Sequence, residues 1–321
     1  MVKKIKDCIY AYSGNIGKKL IYELKFMKNQ QRYLQRLRND IELNKKGVFY
    51  FVIDPDINQP GLADRLKAII SCYYIAKINH FDYKIIFKEP FKLENYLKPN
   101  KIDWVANTNE LEYCKGQTVF FNFASWHKIP LLNHDKQYHC YNYVGHNILL
   151  HIPDKRYSWK FLYDELFSPC DSLKKAIDSC SYLENTYVAV HFRFVNALGS
   201  FENYWSKPLP VEEQQKLIEK CKRGLMNICK DNPNCKVLVF SDSTRFLKEL
   251  SSMPVEFLDT SSIGHINEKS DCDTVLKTFL DFYMIGRAKK VYRVLSSELY
   301  KTFFCVYAAQ MGDKELIDYE I

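Results

Sequence analysis

Tyr187-Val-Ala-Val-His-Phe-Arg193 is an apolar run that ends in a histidine and, two positions on, an arginine. The run reads as a buried strand. Side chains alternate faces along a strand, so His191 and Arg193 point the same way. The loop Phe194–Ser200 follows. Arginine offers a rigid fork of donors that fits a phosphate, so the pair suggests an anionic, phosphorylated ligand. The alternative is a strand end with two solvent-facing polar residues. Two more apolar runs end in small polar residues: Lys236–Phe240 in Ser241-Asp242-Ser243, and Lys290–Leu295 in Ser296-Ser297. The second pair precedes a helical pattern from Glu298. Hydroxyls and free N–H groups at a helix N-terminus bind phosphate oxygens, although serine also caps helices routinely. The carboxyl ends of parallel strands share one edge, so all three sets can meet at one site. A further candidate lies in the first half, where Gly61 opens a helix with Asp64 and Arg65 in its first turn. A glycine there lets another molecule approach the N–H groups. Ordinary complementing of the helix dipole accounts for Asp64 but not for Arg65.

These residues need elements to position them. The spacing predicts a helical region over residues 8–46, rich in Lys, Arg and Gln. It reads as a helix packed on its own domain, with a basic amphipathic arm on a membrane as the alternative. Gly47–Ile53 reads as a strand and Asp54–Pro60 as a turn-rich loop. Gly61–Lys77 is a helix by its apolar stripe, Tyr83–Phe87 a strand, Asn95–Asn100 a short helix and turn, and Thr118–Phe123 a strand. In the second half, Trp159–Phe167 reads as helical, with Leu173, Ile177 and Tyr182 continuing the pattern after Pro169. Helices are expected over Val211–Cys229, Phe246–Leu250, Asp273–Gly286 and Glu298–Gln310, and a short strand over Val255–Leu258. Strand and helix alternate, which predicts a doubly wound parallel sheet in this half. The expected organisation is α/β: two domains, over 1–155 and 156–321, facing each other across a cleft that suits a nucleotide-linked substrate.

At 321 residues the chain is long enough for two domains, and 47% hydrophobic residues with 15% aromatic supply a core. The net charge of +8 suits anionic partners. The lysine clusters are short and no nucleic-acid motif is present, which ranks nucleic-acid binding last. The 11 cysteines form no CxxC pair and no zinc-like spacing. With no apolar signal segment and no run of about 18 apolar residues, reduced thiols and a cytoplasmic location are expected, with peripheral attachment to the inner membrane face as an option for the basic N-terminal region. The sequence lacks GxGxxG and GxxxxGK[ST] loops, which argues against a standard NAD site or a P-loop. Asp54-Pro-Asp56 and Asp271-Cys-Asp273 are poor candidates for a metal-held diphosphate.

Taken together, the motifs resemble those of the fucosyltransferase superfamily that includes α-1,6-, nodulation and protein O-fucosyltransferases. The family's strand ending in His-x-Arg-Arg-x-Asp reads His191-Phe-Arg193-Phe194-Val-Asn196 here, with phenylalanine for the second arginine and asparagine for the aspartate. Its Thr/Ser-Asp-Asp/Ser motif reads Ser241-Asp242-Ser243. Its third motif runs from Asp281 through a strand to Ser296-Ser297, and Gly61–Arg65 resembles the glycine-rich loop of the acceptor-side domain. The resemblance implies a GT-B-like pair of Rossmann-like domains and inverting transfer of fucose from GDP-fucose to a glycan, without cofactor or metal. It implies that His191 and Asp281 contact guanine and Arg193 the β-phosphate. Ser296, Ser297 and Ser243 would line the donor site, and Asp242 would shape the nearby loop. Glu202 and Asp64 are the rival candidates for general base. Gly61, Arg65, Asn196 and His265 are assigned to the cleft or acceptor side. Acceptor specificity is expected in Asp54–Pro60 and in Ala124–His139, which carries Trp126, His127, His134 and His139. The two departures from the first motif keep open another GDP-sugar as donor, or a non-catalytic sugar-nucleotide- or glycan-binding homologue.

Overall fold

The computed structural model describes residues 27–28, 30–53, 61–121, 130–141, 156–199, 207–258 and 271–321. Its contacts divide the chain into two compact units. The described residues of the first fall within Met1–Gln59, Cys72–Phe87 and Trp104–His146, and those of the second within Pro60–Ser71, Lys88–Asp103 and Asn147–Ile321.

In the first unit β1 (Val48–Ile53) is buried along its whole length. A strand covered on both faces reads as a continuous apolar run, and this one does. It lies between β2 (Asp82–Phe87) and β5 (Gln137–Cys140), with β4 (Thr118–Phe121) beyond β5, all parallel. Helix α2 (Leu62–Ile78) connects β1 to β2 in sequence. Strand β5 was not expected, because Gln137 and His139 interrupt its apolar pattern. Both are fully buried and bonded to each other, and Tyr33 Oη lies 3.3 Å from His139 Nδ1. Of the expected N-terminal helix, residues 27–28 and 30–36 are helical (α1), and residues 37–46 are irregular.

The second unit holds a parallel sheet in the order β10-β9-β7-β8. Its strands are β7 (Tyr187–Phe192), β8 (Lys236–Ser241), β9 (Lys290–Leu295) and β10 (Glu315–Glu320). Alternation along β7 sorts its residues to two faces. Val188, Val190 and Phe192 pack with Leu217, Ile218, Cys221, Leu225 and Ile228 of α5 (Val211–Asp231) and with Phe246 and Leu247 of α6 (Thr244–Glu249). On the other face the Tyr187 hydroxyl donates to the Met284 carbonyl of α7 (Cys272–Gly286). On that face too, the His191 ring lies 5.8 Å from Phe304, which opens α8 (Phe304–Gly312). The expected doubly wound parallel sheet is present.

Three local expectations are corrected, and one strand was not foreseen. After the short 3₁₀ turn Leu93–Asn95, the segment read as helix and turn forms β3 (Leu97–Pro99). It pairs antiparallel with β6 (Phe167–Pro169), which follows α3 (Trp159–Leu166) and precedes α4 (Asp171–Asp178). Val255–Leu258 contributes only a bridge between Leu238 and Glu256. The last helix starts at Phe304 rather than Glu298. Strand β10 was missed because its charged, half-exposed residues mark it as a sheet edge rather than an apolar run.

Candidate functional site

The strand order of the second unit defines where a site belongs. From β7 the chain moves to β8 on one side, and β9 lies on the other side of β7. Between β7 and β9 the order reverses. In open α/β sheets ligands bind outside the carboxyl ends of the strands at such a switch point. The register sets His191 beside Phe240 and Arg293, and Phe192 beside Ser241. Arg193, Asp242 and Ser296 therefore each follow the carboxyl end of a neighbouring strand.

Arg193 is positioned by a buried acid. Its Nη1 lies 3.2 Å from Asp242 Oδ2, with the arginine side chain 21% exposed and the aspartate 3%. The same carboxylate accepts the N–H groups of Phe194 and Val195, each at 2.8 Å. Val195 has φ +54°, a left-handed conformation that costs a β-branched residue about 1–3 kcal/mol. Two charge-assisted hydrogen bonds offset that strain. Asp242 thus shapes the turn after β7 and leaves the guanidinium partly open.

His191 is not a solvent-facing residue. It is 6% exposed, and its Nδ1 has no hydrogen-bond partner among the described residues. Burial, then the charges of Arg193 and Arg293, push its pKa down to about 3, so the ring is neutral. Burial likewise holds His139 of the first unit at about 3. The consequence follows from linkage. Each ring stays neutral when folded but takes a proton near pH 6.5 when unfolded. The stabilisation is complete above pH 6.5 and is lost as pH falls toward 3, at about 1.4 kcal/mol per pH unit for each histidine. Urea unfolding at pH 7 and pH 5 is expected to show that loss, and His139→Gln should remove about half of the part the two histidines contribute. An unchanged pH profile in His139→Gln would contradict the assignment.

The serine pair follows β9, but no helix begins there. Ser296 is half-buried and Ser297 exposed. Ser296 Oγ accepts the Glu298 N–H at 3.3 Å. Hydrogen bonds from Ser296, then Ser297 and the nearby Lys220, hold the Glu298 carboxyl below its usual range. Lys220 Nζ lies 3.5 Å from that carboxylate. Tertiary bonds keep the segment out of a helix. The Tyr300 N–H donates to the Arg193 carbonyl at 2.9 Å, and Leu299 is buried in the β7–α5 core. The Thr302 carbonyl accepts from Arg293 Nη1 at 3.0 Å.

The remaining expected residues divide. Ser243 is fully buried as the N-cap of α6, its Oγ accepting the Phe246 N–H at 3.2 Å, so it serves the helix. Asp281 lies on α7 with Lys277 Nζ at 2.7 Å, and burial raises its pKa. The charges that act on His191 are those of Arg193 and Arg293 rather than Asp281. Asp64 pairs with Lys67 at 3.1 Å in the first turn of α2, the ordinary place for an acid. Arg65 is fully buried, its guanidinium 5.9 Å from the Phe91 ring centroid. A Cβ added to Gly61 would meet nothing within 4 Å, so packing does not demand glycine there. Asn196 is buried, and its carbonyl accepts the Gly199 N–H at 2.9 Å. His139, expected in a loop, sits inside β5, and the His134 ring lies 4.7 Å from Phe81. Glu202, His265, Trp126, His127 and Asp54–Pro60 lie outside the described residues.

Sequence reasoning missed Arg293. This buried residue of β9 makes a two-pronged pair with Asp318 of β10, Nε to Oδ1 at 2.7 Å and Nη2 to Oδ2 at 2.6 Å. An arginine within an otherwise apolar strand was the available signal. Among the described residues no group of three or more His, Cys, Asp or Glu could hold a metal ion, and no helix is long and apolar enough to cross a membrane.

No protein-family model matches the sequence, and no curated protein matches it. Solved structures do match. NodZ alpha-1,6-fucosyltransferase, soaked with GDP-fucose, superposes with a TM-score of 0.54 at 12% identity over 84% of this chain and 93% of that one. Fucosyltransferase NodZ from Bradyrhizobium gives 0.54 at 11% identity, over 83% and 93%. A mutant of Arabidopsis thaliana FUT1 in complex with GDP gives 0.50 at 10% identity, over 98% and 77%. The chain has the fold of these fucosyltransferases. The low identity restricts the likeness to fold.

Proposed function

We propose that this protein is an inverting, metal-independent glycosyltransferase that moves fucose from GDP-fucose to a hydroxyl of a glycan acceptor, either a surface polysaccharide or a glycolipid. One observation carries the reading: Arg193 is held by the buried Asp242 at the switch point of a parallel sheet, in a chain with a fucosyltransferase fold. In the reaction, an acceptor oxygen forms a bond to the anomeric carbon. The bond from that carbon to the β-phosphate oxygen breaks, and the electron pair leaves on GDP. Arg193 takes up the charge growing on the departing diphosphate, so it stabilises the transition state more than the ground state. The hydroxyls of Ser296 and Ser297 exchange the Glu298 carboxylate for diphosphate oxygens. Neutral His191, with Asp281, serves the guanine. The acceptor proton goes to a carboxylate, Glu202 or Asp64. A GT-B-like cleft, with the acceptor held by the first unit, belongs to the same proposal, as does a cytoplasmic donor site.

A second reading has its own support. Phe194 stands where the resembled motif has a second arginine. It is 2% exposed and its ring lies 4.8 Å from Phe246. That position is committed to the core, which fits a sugar-nucleotide-binding protein without turnover. Incubation with GDP-fucose and an acceptor panel, with and without chelator, separates the two. Transfer that releases GDP and survives the chelator is expected. Tight donor binding with no transfer or hydrolysis would favour the second reading, and neither binding nor turnover would contradict both.

A further inference from the structure

Among the described residues three aromatic side chains are exposed, Phe161, Tyr300 and Phe303. Two of them fall in the short segment that leaves β9 through Ser296 and Ser297. Phe303 is already engaged. The Arg293 guanidinium lies 5.8 Å from its ring centroid, and it stacks on Tyr307 at 6.2 Å. Tyr300 makes no ring contact among the described residues and is 62% exposed. Its backbone is nevertheless fixed. The Tyr300 N–H donates to the Arg193 carbonyl at 2.9 Å, and its neighbours Leu299 and Thr302 are buried. A large aromatic ring is thus left in solvent on a segment whose main chain is hydrogen-bonded to that of the site's arginine. Exposing such a ring forfeits the burial it would gain in the core. A flat ligand face that covers it recovers that loss.

We infer that Tyr300 is the stacking platform for the base of the nucleoside diphosphate bound at the Arg193 edge. This rests on the reading of that edge as a diphosphate site and adds a specificity residue to it. The main chain of Tyr300 is anchored at the same strand edge as Arg193, so a base attached to the phosphates is the ligand part proposed to cover its ring. Every base offers a π-face, so the ring supplies affinity for a nucleotide over bare diphosphate, while hydrogen bonds elsewhere select the base.

Calorimetry on the full chain tests this, with GDP and inorganic pyrophosphate titrated into wild type, Tyr300→Ala and Tyr300→Phe. Tyr300→Ala should weaken GDP by about tenfold, the scale of one base–aromatic stack, and leave pyrophosphate unchanged. Tyr300→Phe, which keeps the ring, should bind GDP as wild type does. If wild type binds GDP and Tyr300→Ala binds it equally well, the stacking role is overturned and the diphosphate site stands. If Tyr300→Ala loses pyrophosphate as well, the residue acts only through the fold of its loop and the inference fails. If wild type binds neither ligand, the diphosphate site itself is wrong and the inference falls with it.

Discussion

Arg193→Ala is expected to lower kcat for fucose transfer by about a hundredfold to a thousandfold while the protein stays folded. The size follows from the role: removing one preorganised donor from developing negative charge costs about 2.7–4 kcal/mol of barrier. The fold survives because the Asp242 carboxylate keeps its two backbone partners, Phe194 and Val195. Arg193→Lys should recover only part of the rate, since a single ammonium cannot reproduce the planar fork. Steady-state kinetics beside a thermal melt read both halves. Wild-type turnover in Arg193→Ala would remove the residue from the mechanism.

Asp242→Ala has the opposite emphasis, with stability lost first. The substitution strands the N–H groups of Phe194 and Val195, leaves Val195 in its strained conformation without support, and removes the ion pair that holds Arg193. Leaving a buried backbone donor without its acceptor costs about 1–3 kcal/mol for each group. A urea midpoint well below that of Arg193→Ala is therefore expected, with activity falling as well because the guanidinium is no longer aimed. Asp242→Asn should lie between, retaining one acceptor oxygen but no charge. Equal midpoints for Asp242→Ala and Arg193→Ala would mean that the aspartate does not hold the turn.

The contrast between the two variants also shows what the chain makes legible. Apolar runs declare β7 and β9 with little ambiguity, and β9 has the expected bounds Lys290–Leu295. The residues that follow them, Arg193, Asp242, Ser296 and Ser297, are visible for the same reason: they interrupt a strong pattern. What they bond to is not visible. The work of Asp242 depends on the backbone angle of Val195, which no local pattern announces. The pairing of Arg293 with Asp318 joins adjacent strands 25 residues apart in sequence. The segment after Ser297 has helical spacing, yet Arg193 captures the Tyr300 N–H, and long-range bonds override periodicity until Phe304. Strand β5 hides because Gln137 and His139 satisfy each other inside the sheet. Ser243 illustrates the converse. Its place in a recognisable motif suggests a ligand, whereas its hydroxyl is spent on capping α6.

The carboxyl edge between β7 and β9 is proposed to hold a diphosphate through Arg193. Affinities of guanosine, GMP and GDP for wild type and Arg193→Ala test it most directly. Adding the β-phosphate is expected to strengthen binding to wild type, and that gain is expected to disappear in Arg193→Ala, while guanosine binds both proteins alike. An equal gain from GMP to GDP in the two proteins, or no binding of GDP to wild type at millimolar concentration, would contradict it.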